Sequence, residues 1–350
     1  MRTLIVFLFI LFISSASLYS QAISGTVCEK RTNRSVPGVN VYLDGTSIHT
    51  TTDADGKFEL RVKRFINTRL IISHVIYETV SIDEPFKNSS YTIFLKEKNL
   101  ELNEIVIKGK MLFPRKQMLE VFKANFLGDT KEGRSCIISN EDDINLRYDA
   151  TTFTLLASSE NPLIIKNQYL GYEIRFQLLH FDAEYKAKTL DNNALISTVF
   201  YGTSSFVDLK PDNAAINKRR QDTYKRSTPY FMKNLADGTC DKSGHKIYKK
   251  GFAANPDDVF SIQDTLSGKM IRLAEDLEKS VYDNKPVYGK IAFLYNKNQS
   301  GITFLTDSFF VDQYGNTSDV DKIMYSGYVS EQRLGNMLPL NYELPGSSSH

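Results

Sequence analysis

Short runs of alternating apolar and polar residues follow one another through the first third of the chain. Each run has four to six residues, and Gly, Pro, Asn or Asp separates it from the next. A two-residue period is typical of half-buried β-strands, and several such strands at this spacing pack as a sandwich. The runs are Ile23–Val27, Val39–Leu43, Phe58–Val62, Leu70–Val75, Tyr91–Leu95 and Glu104–Ile107. The sequence therefore predicts an all-β sandwich in this region.

Five motifs, which lie within these runs or between them, resemble the carboxypeptidase regulatory-like domain. They are Gly25-Thr-Val27, Val36–Val41, Asp44-Gly45-Thr46, Thr52–Phe58 and Leu70–Tyr77. Their order and spacing match over about 85 residues, although Ile76 replaces the glycine that usually precedes the tyrosine. The resemblance implies a transthyretin-like β-sandwich of about seven strands. It also implies an accessory module, because the zinc centre of metallocarboxypeptidases belongs to a separate catalytic domain.

The segment Asp53-Ala-Asp55-Gly56 allows two interpretations, a calcium loop or a turn. A hand-type calcium loop needs oxygen ligands at alternating positions over twelve residues and ends in an acid. With Asp53 at position one, position twelve is Arg64, a cation. A tight turn needs only aspartates that accept hydrogen bonds from nearby amides and a glycine with positive φ. We therefore predict a metal-free hairpin that holds two strands in register.

The first 22 residues have the layout of a secretory signal peptide. Arg2 precedes an apolar run from Leu4 to Ile13, and small residues follow. The run has about half of the roughly 20 apolar residues that span a bilayer, so a retained anchor is the less favoured alternative. The predicted organisation is a signal peptide (1–22), a regulatory-like domain (23–110) and a second domain (111–350).

The charged residues and the cysteines exclude several classes of function. With 43 basic and 41 acidic residues, a net charge of +2 predicts no attraction to nucleic acid. None of the five histidines has a glutamate three residues later, and no His-Glu-x-x-His or Cys-x-x-Cys pair occurs, so a zinc hydrolase lacks its ligands. We predict no metal and no cofactor. Export would allow a Cys136–Cys240 disulfide, and the alternative is that both of these thiols and Cys28 stay unpaired.

Strand patterns dominate the second region, with two or three helices, so the fold class is mainly β, with an α+β second domain. One helix begins after Pro114, presents Met118, Val121, Phe122 and Phe126 on one face, and ends at Gly128, which predicts that it covers a sheet. The predicted strands are Ile144–Tyr148, Phe153–Ala157, Pro162–Ile165, Tyr172–Leu178, Leu195–Phe200, Gly289–Tyr295, Ile302–Thr306, Phe309–Val311 and Lys322–Tyr328. Gly289–Tyr295 and Ile302–Thr306 are expected to form a hairpin across residues 296–301.

The second helix is predicted within the stretch Ser227–Gly238. Thr228 is its expected cap, Pro229 its first position and Gly238 its stop. Just upstream, Arg219, Arg220, Lys225 and Arg226 form a basic cluster. This cluster is a candidate contact for an anion, an acidic glycan, a lipid headgroup or a partner. The alternative is a solvated helix face with Tyr224 turned inward.

The second region also resembles one that often follows the regulatory-like domain in exported proteins of Gram-negative bacteria. The resemblance is carried by Phe126-Leu-Gly128, Cys136–Asn140, Asn161–Asn167, Leu170-Gly171-Tyr172 and Arg219–Leu235. It implies an architecture but no activity. Tyr230 stands where that region has a histidine, which disfavours a histidine-based mechanism in the helix.

The sequence favours an exported, non-catalytic protein of the cell envelope, with a binding or scaffolding role. We expect it in the periplasm or held at the outer membrane by partners, with an envelope protein or a glycan as its ligand. One alternative is a carbohydrate-binding or adhesion module in which Tyr169, Tyr172 and Tyr185 stack on sugars. The other is a hydrolase that uses a carboxylate pair from the second region. The available acids are Glu141, Asp142, Asp143, Asp182, Glu184, Asp257 and Asp258.

Overall fold

The computed structural model describes residues 21–98, 112–277 and 279–346. Residues 1–20 of the predicted signal peptide and the predicted strand Glu104–Ile107 lie outside the described residues.

Two sheets form a β-sandwich over residues 21–98. The strands are β1 (Gln21–Glu29), β2 (Asn40–Leu43), β3 (His49–Thr51), β4 (Lys57–Val62), β5 (Leu70–Ser73), β6 (Val80–Ile82) and β7 (Ser90–Leu95). In one sheet β1 lies between β4, which is antiparallel to it, and β7, which is parallel. The other sheet has the antiparallel order β3-β2-β5-β6. In β4 the alternation is complete, because Phe58, Leu60 and Val62 are buried while their neighbours face solvent.

The turn at Asp53–Gly56 is present, but the predicted hairpin is wrong. Oδ1 of Asp53 accepts the backbone N–H of Asp55 at 2.9 Å and of Lys57 at 2.8 Å, and Gly56 has a φ of +70°. However, β3 before the turn pairs with β2, whereas β4 after it pairs with β1 in the other sheet. The turn therefore carries the chain from one sheet of the sandwich to the other. A tight turn has the same local geometry whether its flanking strands pair with each other or belong to different sheets. Its residues therefore do not specify the pairing of those strands.

The next part of the chain, up to Asp208, is a six-stranded sheet covered by a helix. The strands are β8 (Cys136–Ile138), β9 (Asn145–Asp149), β10 (Thr154–Ser158), β11 (Leu163–Asn167), β12 (Tyr172–Tyr185) and β13 (Leu195–Asp208). β12 and β13 pair along nearly their whole length, and β11 and β10 pair with successive halves of the other edge of β12. The predicted first helix is α1 (Arg115–Leu127), followed by the short α2 (Lys131–Arg134). The ring of Phe122 lies 4.7 Å from that of Phe181, so α1 covers the sheet as predicted.

The last part of the chain packs three helices against smaller sheets. The helices are α3 (Ala214–Tyr224), α4 (Thr228–Ala236) and α5 (Cys240–Ser243). The strands are β14 (Lys246–Lys249), β15 (Phe252–Ala254), β16 (Phe260–Asp264), β17 (Gly268–Leu273), β18 (Ser280–Tyr282), β19 (Lys285–Val287), β20 (Gly289–Tyr295), β21 (Asn298–Phe304), β22 (Ser308–Asp312) and β23 (Ile323–Gly327). The sheet orders are β15-β14-β20-β21-β23 and β16-β17-β22, with β18 and β19 as a separate pair. Short 3₁₀ helices occupy Glu141–Asp143, Asn192–Ala194, Pro256–Asp258, Val320–Lys322, Tyr328–Glu331 and Leu334–Asn336.

Two local predictions in this part are corrected. The hairpin between β20 and β21 turns on Asn296 and Lys297 alone, both with positive φ, rather than across residues 296–301. Two residues of positive φ form the turn whose twist matches the paired strands. The cap of α4 is Ser227, whose hydroxyl accepts the backbone N–H of Tyr230, rather than Thr228. Both residues carry a hydroxyl, so the sequence alone does not distinguish between them.

Each of the three parts has its own hydrophobic core, and the predicted fold class is confirmed. The sandwich encloses one core, the six-stranded sheet and α1 a second, and α4 with the last sheets a third. Cys136 lies in the second core and Cys240 in the third, and both are free, as is Cys28. The Cys136–Cys240 disulfide is therefore absent from the structure. The domain boundaries at 23–110 and 111–350 stay a prediction.

The sandwich is joined to the second core by the loop after β2. Oδ1 of Asp44 accepts the backbone N–H of Ser204 at 2.8 Å, and the backbone N–H of Phe206 donates to the carbonyl of Thr46 at 2.9 Å. The hydroxyls of Tyr42 and Thr203 lie 3.0 Å apart in a buried contact. These contacts place the sandwich on β13.

The C-terminal segment 338–343 also holds the sandwich in place. The backbone N–H of Leu340 donates to the carbonyl of Gly45 at 2.8 Å, and the side chain of Asn341 bonds to Ser47. Arg64 and Glu343 form an ion pair at 2.6 Å. Leu338 packs on the second core and Leu340 on the sandwich core, so this segment joins the two.

Candidate binding site at the junction of the three cores

A buried carboxylate fixes the geometry of this junction. Asp312, at the end of β22, is 2% exposed. Its oxygens accept the backbone N–H of Asn67, Tyr314 and Asn316 and the side-chain Nδ2 of Asn316, at 2.8 to 2.9 Å. Burial raises the pKa of Asp312, and the four donors oppose this shift. The loop 313–317 is thereby held against the sandwich.

A cavity of about 390 Å³ lies beside this loop. Residues associated with all three parts of the fold line it: Asn67 from the sandwich, Phe200 from β13, and Met232 with Val329 from the third core. The segments 315–317 and 332–340 complete the wall. Cavities of this size are typical of sites for small molecules. We call it the junction cavity.

Two polar residues of the wall carry unusual features. The carboxamide Oδ1 of Asn316 is buried and has no hydrogen-bond partner within the described residues. The guanidinium of Arg333 forms no ion pair in the described part of the chain, and its Nη1 donates only to the backbone carbonyls of Ser330 and Gln332. Burial lowers the pKa of Arg333. Sequence patterns gave no signal for either residue, because both lie in irregular segments.

The structure does not bring the predicted basic cluster together as one site. Arg220 is 3% exposed and makes a bidentate ion pair with Asp208, with N to O distances of 2.6 and 2.8 Å. Its Nε donates to the carbonyl of Leu170, and its guanidinium lies 4.0 Å from the ring centroid of Tyr172. All of these contacts fix α3 to β12 and β13. The charge of Arg220 is thus already paired inside the protein.

The other three cations of the cluster diverge. Arg226 pairs with Glu132 at 3.0 Å, and that carboxylate is itself buried. Arg219 is exposed and lies over the ring of Tyr169 at 4.8 Å. Lys225 borders a cavity of only about 10 Å³ beside His245. An anion contact by this cluster stays a prediction, and it would fall to Arg219 and Lys225 separately.

The predicted acids are spread over several elements. Glu141, Asp142 and Asp143 share one 3₁₀ helix, and Asp257 and Asp258 share another. Asp182 and Glu184 lie on β12, where Asp182 pairs with Nε2 of His180 at 2.6 Å. The ion pair of Glu141 is with Lys123. All seven acids are among the described residues, and none of them lines the junction cavity.

The three predicted sugar-stacking tyrosines are mostly inside the protein. Tyr172 is 4% and Tyr185 1% exposed, and both belong to the second core. Tyr169 is half-buried, with Arg219 on its ring. Tyr201 on β13 is instead 57% exposed and stacks on His180 with ring centroids 5.0 Å apart. The predicted strand around Leu195–Phe200 ended one residue before Tyr201.

The two buried thiols and the buried histidine are uncharged at neutral pH. Burial raises the pKa of Cys136 and of Cys240 to about 12, so both thiols stay protonated at neutral pH. Burial lowers the pKa of His245 to about 4. In the described part of the chain no group of three or more His, Cys, Asp or Glu side chains is arranged to hold a metal ion.

Comparison with known proteins supports only the first domain. Residues 23–107 match the model of the CarboxypepD_reg-like domain. Among solved structures the chain is similar to a protein of unknown function from Bacteroides fragilis, with 11% identity over 87% of this chain and 92% of that chain. The TM-score is 0.17, so this similarity supports no conclusion about fold or function. No curated protein matches the chain. Within the described residues, no helix has both the length and the apolar character needed to cross a membrane.

Proposed function

We propose that this chain, whose residues 23–107 form a CarboxypepD_reg-like domain, is a non-catalytic binding protein exported to the cell envelope. The single observation that carries the proposal is the junction cavity, which has the volume of a small-molecule site and a wall contributed by all three cores. A site between cores is a common place for a ligand. Export is supported by the pattern of a basic residue, an apolar run and small residues in positions 1–22.

A non-catalytic role is supported by the state of the candidate catalytic groups. The thiols of Cys136 and Cys240 are buried with a raised pKa, and His245 is buried with a lowered pKa. Thiolates, rather than thiols, act as nucleophiles. None of these three residues lines the junction cavity. A binding role without catalysis therefore accounts best for the junction cavity.

The proposal is tested by filling the junction cavity. Leu338 is partly buried on the cavity wall, so Leu338→Trp reduces its volume, whereas Leu266→Trp changes a fully exposed side chain elsewhere. The tagged chain is purified from the native envelope without denaturant and analysed by native mass spectrometry. We expect a small bound molecule on the wild-type chain and on Leu266→Trp, and its loss from Leu338→Trp. A ligand-free wild-type chain, or equal occupancy in both variants, would refute the proposal.

Export has its own test. Cells that produce the full chain with a C-terminal tag are fractionated, and the N-terminus of the recovered protein is determined. Recovery from the envelope with a first residue near position 21 to 23 supports export. Full-length protein that begins at Met1 in the cytoplasm contradicts it. The same tagged chain serves for affinity capture of envelope partners.

A second candidate function is carbohydrate binding on the outer face of β12 and β13. It is favoured by Tyr201, whose exposed ring stacks on His180 next to the carboxylate of Asp182. Sugars bind to sites that combine an aromatic face with polar groups. A glycan array should then show binding that Tyr201→Ala abolishes and Tyr282→Ala, another exposed tyrosine, preserves. Binding that survives Tyr201→Ala would exclude this face.

A further inference from the structure

We infer that the junction cavity binds a small amphipathic carboxylate. The inference rests on the proposed function, because it names the ligand class of the same cavity. It is drawn from the hydrogen-bonding capacity that Arg333 and Asn336 leave unused, and from the apolar remainder of the wall.

The anion subsite is formed by Arg333 and Asn336. The backbone N–H of Arg333 and the hydroxyl of Thr130 both bond to Oδ1 of Asn336, which fixes the orientation of its carboxamide. Within the described residues, Nδ2 of Asn336 and the Nε and Nη2 of Arg333 make no hydrogen bond, and both residues line the cavity. Glu331 is a nearby acid but makes no ion pair with Arg333 in the described residues, and a carboxylate is the group that the planar donors of the guanidinium fit.

Asn316 orders the wall of the cavity without contacting a ligand. Its Nδ2 donates to Oδ2 of Asp312 at 2.9 Å and to the carbonyl of Leu340 at 3.1 Å. Reversal of the carboxamide would place its oxygen against two acceptors, so Oδ1 must lie on the other side. Asn316 is 7% exposed, and this oxygen is the unpartnered one. Because this oxygen is fully buried, a ligand in the cavity does not reach it, and the polar contacts are left to Arg333 and Asn336.

The rest of the cavity suits an apolar body. Met232, Val329, Leu338 and Pro339 contribute to its wall. Val320 and Met337 also line it, although they are 73% and 40% exposed, so apolar side chains reach solvent at its edge. A ligand with an acyl or aromatic body would cover these side chains. A volume of about 390 Å³ limits that body to a short chain or a single ring system.

The ligand class is tested with a matched series of N-acyl amino acids on the wild-type mature chain. N-octanoylglycine supplies the apolar chain, the amide N–H and the carboxylate. Its methyl ester lacks the charge, and N-octanoylsarcosine keeps the charge without the N–H. By titration calorimetry we expect the acid and the sarcosine analogue to bind, and the ester to bind at least about tenfold more weakly than either. Equal binding of acid and ester, or no binding of any of the three, overturns the inference.

The role of Arg333 is tested by Arg333→Met and Arg333→Lys, with Arg61→Met as a control at an exposed position. We expect Arg333→Met to abolish the preference for the acid over the ester, Arg333→Lys to retain part of it, and Arg61→Met to keep all of it. An unchanged preference in a folded Arg333→Met chain also overturns the inference. Native mass spectrometry distinguishes a wrong ligand class from a wrong proposed function. A bound but uncharged native ligand refutes only the ligand class, whereas the absence of any bound molecule refutes the proposed function.

Discussion

The backbone N–H of Asn67 donates to Oδ2 of Asp312 at 2.8 Å, across 245 residues of sequence. Asn67 belongs to the sandwich, and Asp312 ends a strand beside the third core. Because Asp312 is buried, its four N–H donors rather than water stabilise its charge. One side chain thus connects two cores and orders the loop that carries Asn316.

Loss of this carboxylate should destabilise the whole molecule. Asp312→Ala leaves four donors without their acceptor, and we expect the free energy of unfolding to fall by about 3 to 5 kcal/mol. Chemical denaturation followed by tyrosine fluorescence measures the change. Asp307→Ala, at an exposed position just before β22, is the control and should cost less than about 0.5 kcal/mol. A stability of Asp312→Ala within 1 kcal/mol of wild type would show that water replaces the carboxylate.

Arg220 and Arg219 should differ sharply in their contribution to stability. Arg220→Met removes the charged hydrogen bonds of a buried guanidinium whose partner, Asp208, is partly exposed, and we expect a loss of about 2 to 3 kcal/mol. Arg219→Met affects an exposed guanidinium and should change stability by less than about 1 kcal/mol. The two variants are compared in the same denaturant titration. Similar values for both would mean that the ion pair with Asp208 contributes nothing to the fold.

This contrast explains why the basic cluster was visible in the sequence but its role was not. Successive residues of a helix point about 100° apart, so only one of two adjacent arginines faces the sheet. The choice depends on Asp208 at the end of β13, Tyr172 on β12 and the carbonyl of Leu170. None of these contacts follows from local composition, because each depends on how α3 packs.

Strands with strong alternation were predictable, whereas weak strands and sheet membership were not. β4 was predicted to the residue at its C-terminal end because three apolar residues alternate in it. β3 contains only His49-Thr50-Thr51, so no apolar pattern marks it. The junction cavity was likewise invisible, since Asn316 and Arg333 gain their roles from segments that meet only in the folded chain.

Gly56 lies in the turn that joins the two sheets of the sandwich, and the stability cost of replacing it can be predicted with Gly38 as the control. Gly56 and Gly38 have nearly the same φ, +70° and +71°. A Cβ at Gly56 would lie 2.6 Å from the carbonyl oxygen of Val27, whereas a Cβ at Gly38 has nothing within 4 Å. Gly38→Ala should cost about 1 kcal/mol for the left-handed backbone alone, and Gly56→Ala at least about 2 kcal/mol more for the clash. Equal losses in denaturation would mean that the turn moves away from β1 without cost.

His245 should make stability depend on pH in mildly acidic solution. It is 2% exposed, its Nδ1 lies 2.7 Å from the hydroxyl of Ser243, and the rings of Tyr230, Phe231 and Tyr295 surround it. Burial lowers its pKa to about 4 in the folded state, from about 6.5 in the unfolded chain. Above pH 6.5 the residue is neutral in both states, and its contribution is complete. As the pH falls, the unfolded state binds the proton first, so stability is lost between about pH 6.5 and pH 4.

The difference between pH 7.5 and pH 5 should amount to about 2 kcal/mol for this residue. Because carboxylates also titrate near the lower pH, the measurement compares variants rather than absolute values. His245→Gln should lose about 2 kcal/mol less than wild type over this range, although it is less stable at both pH values. His49→Gln, at an exposed position, should keep the wild-type dependence. If His245→Gln and wild type lose the same free energy of unfolding between pH 7.5 and pH 5, the prediction is wrong. The imidazole is then protonated within the fold, and the surrounding aromatic rings stabilise its cationic form.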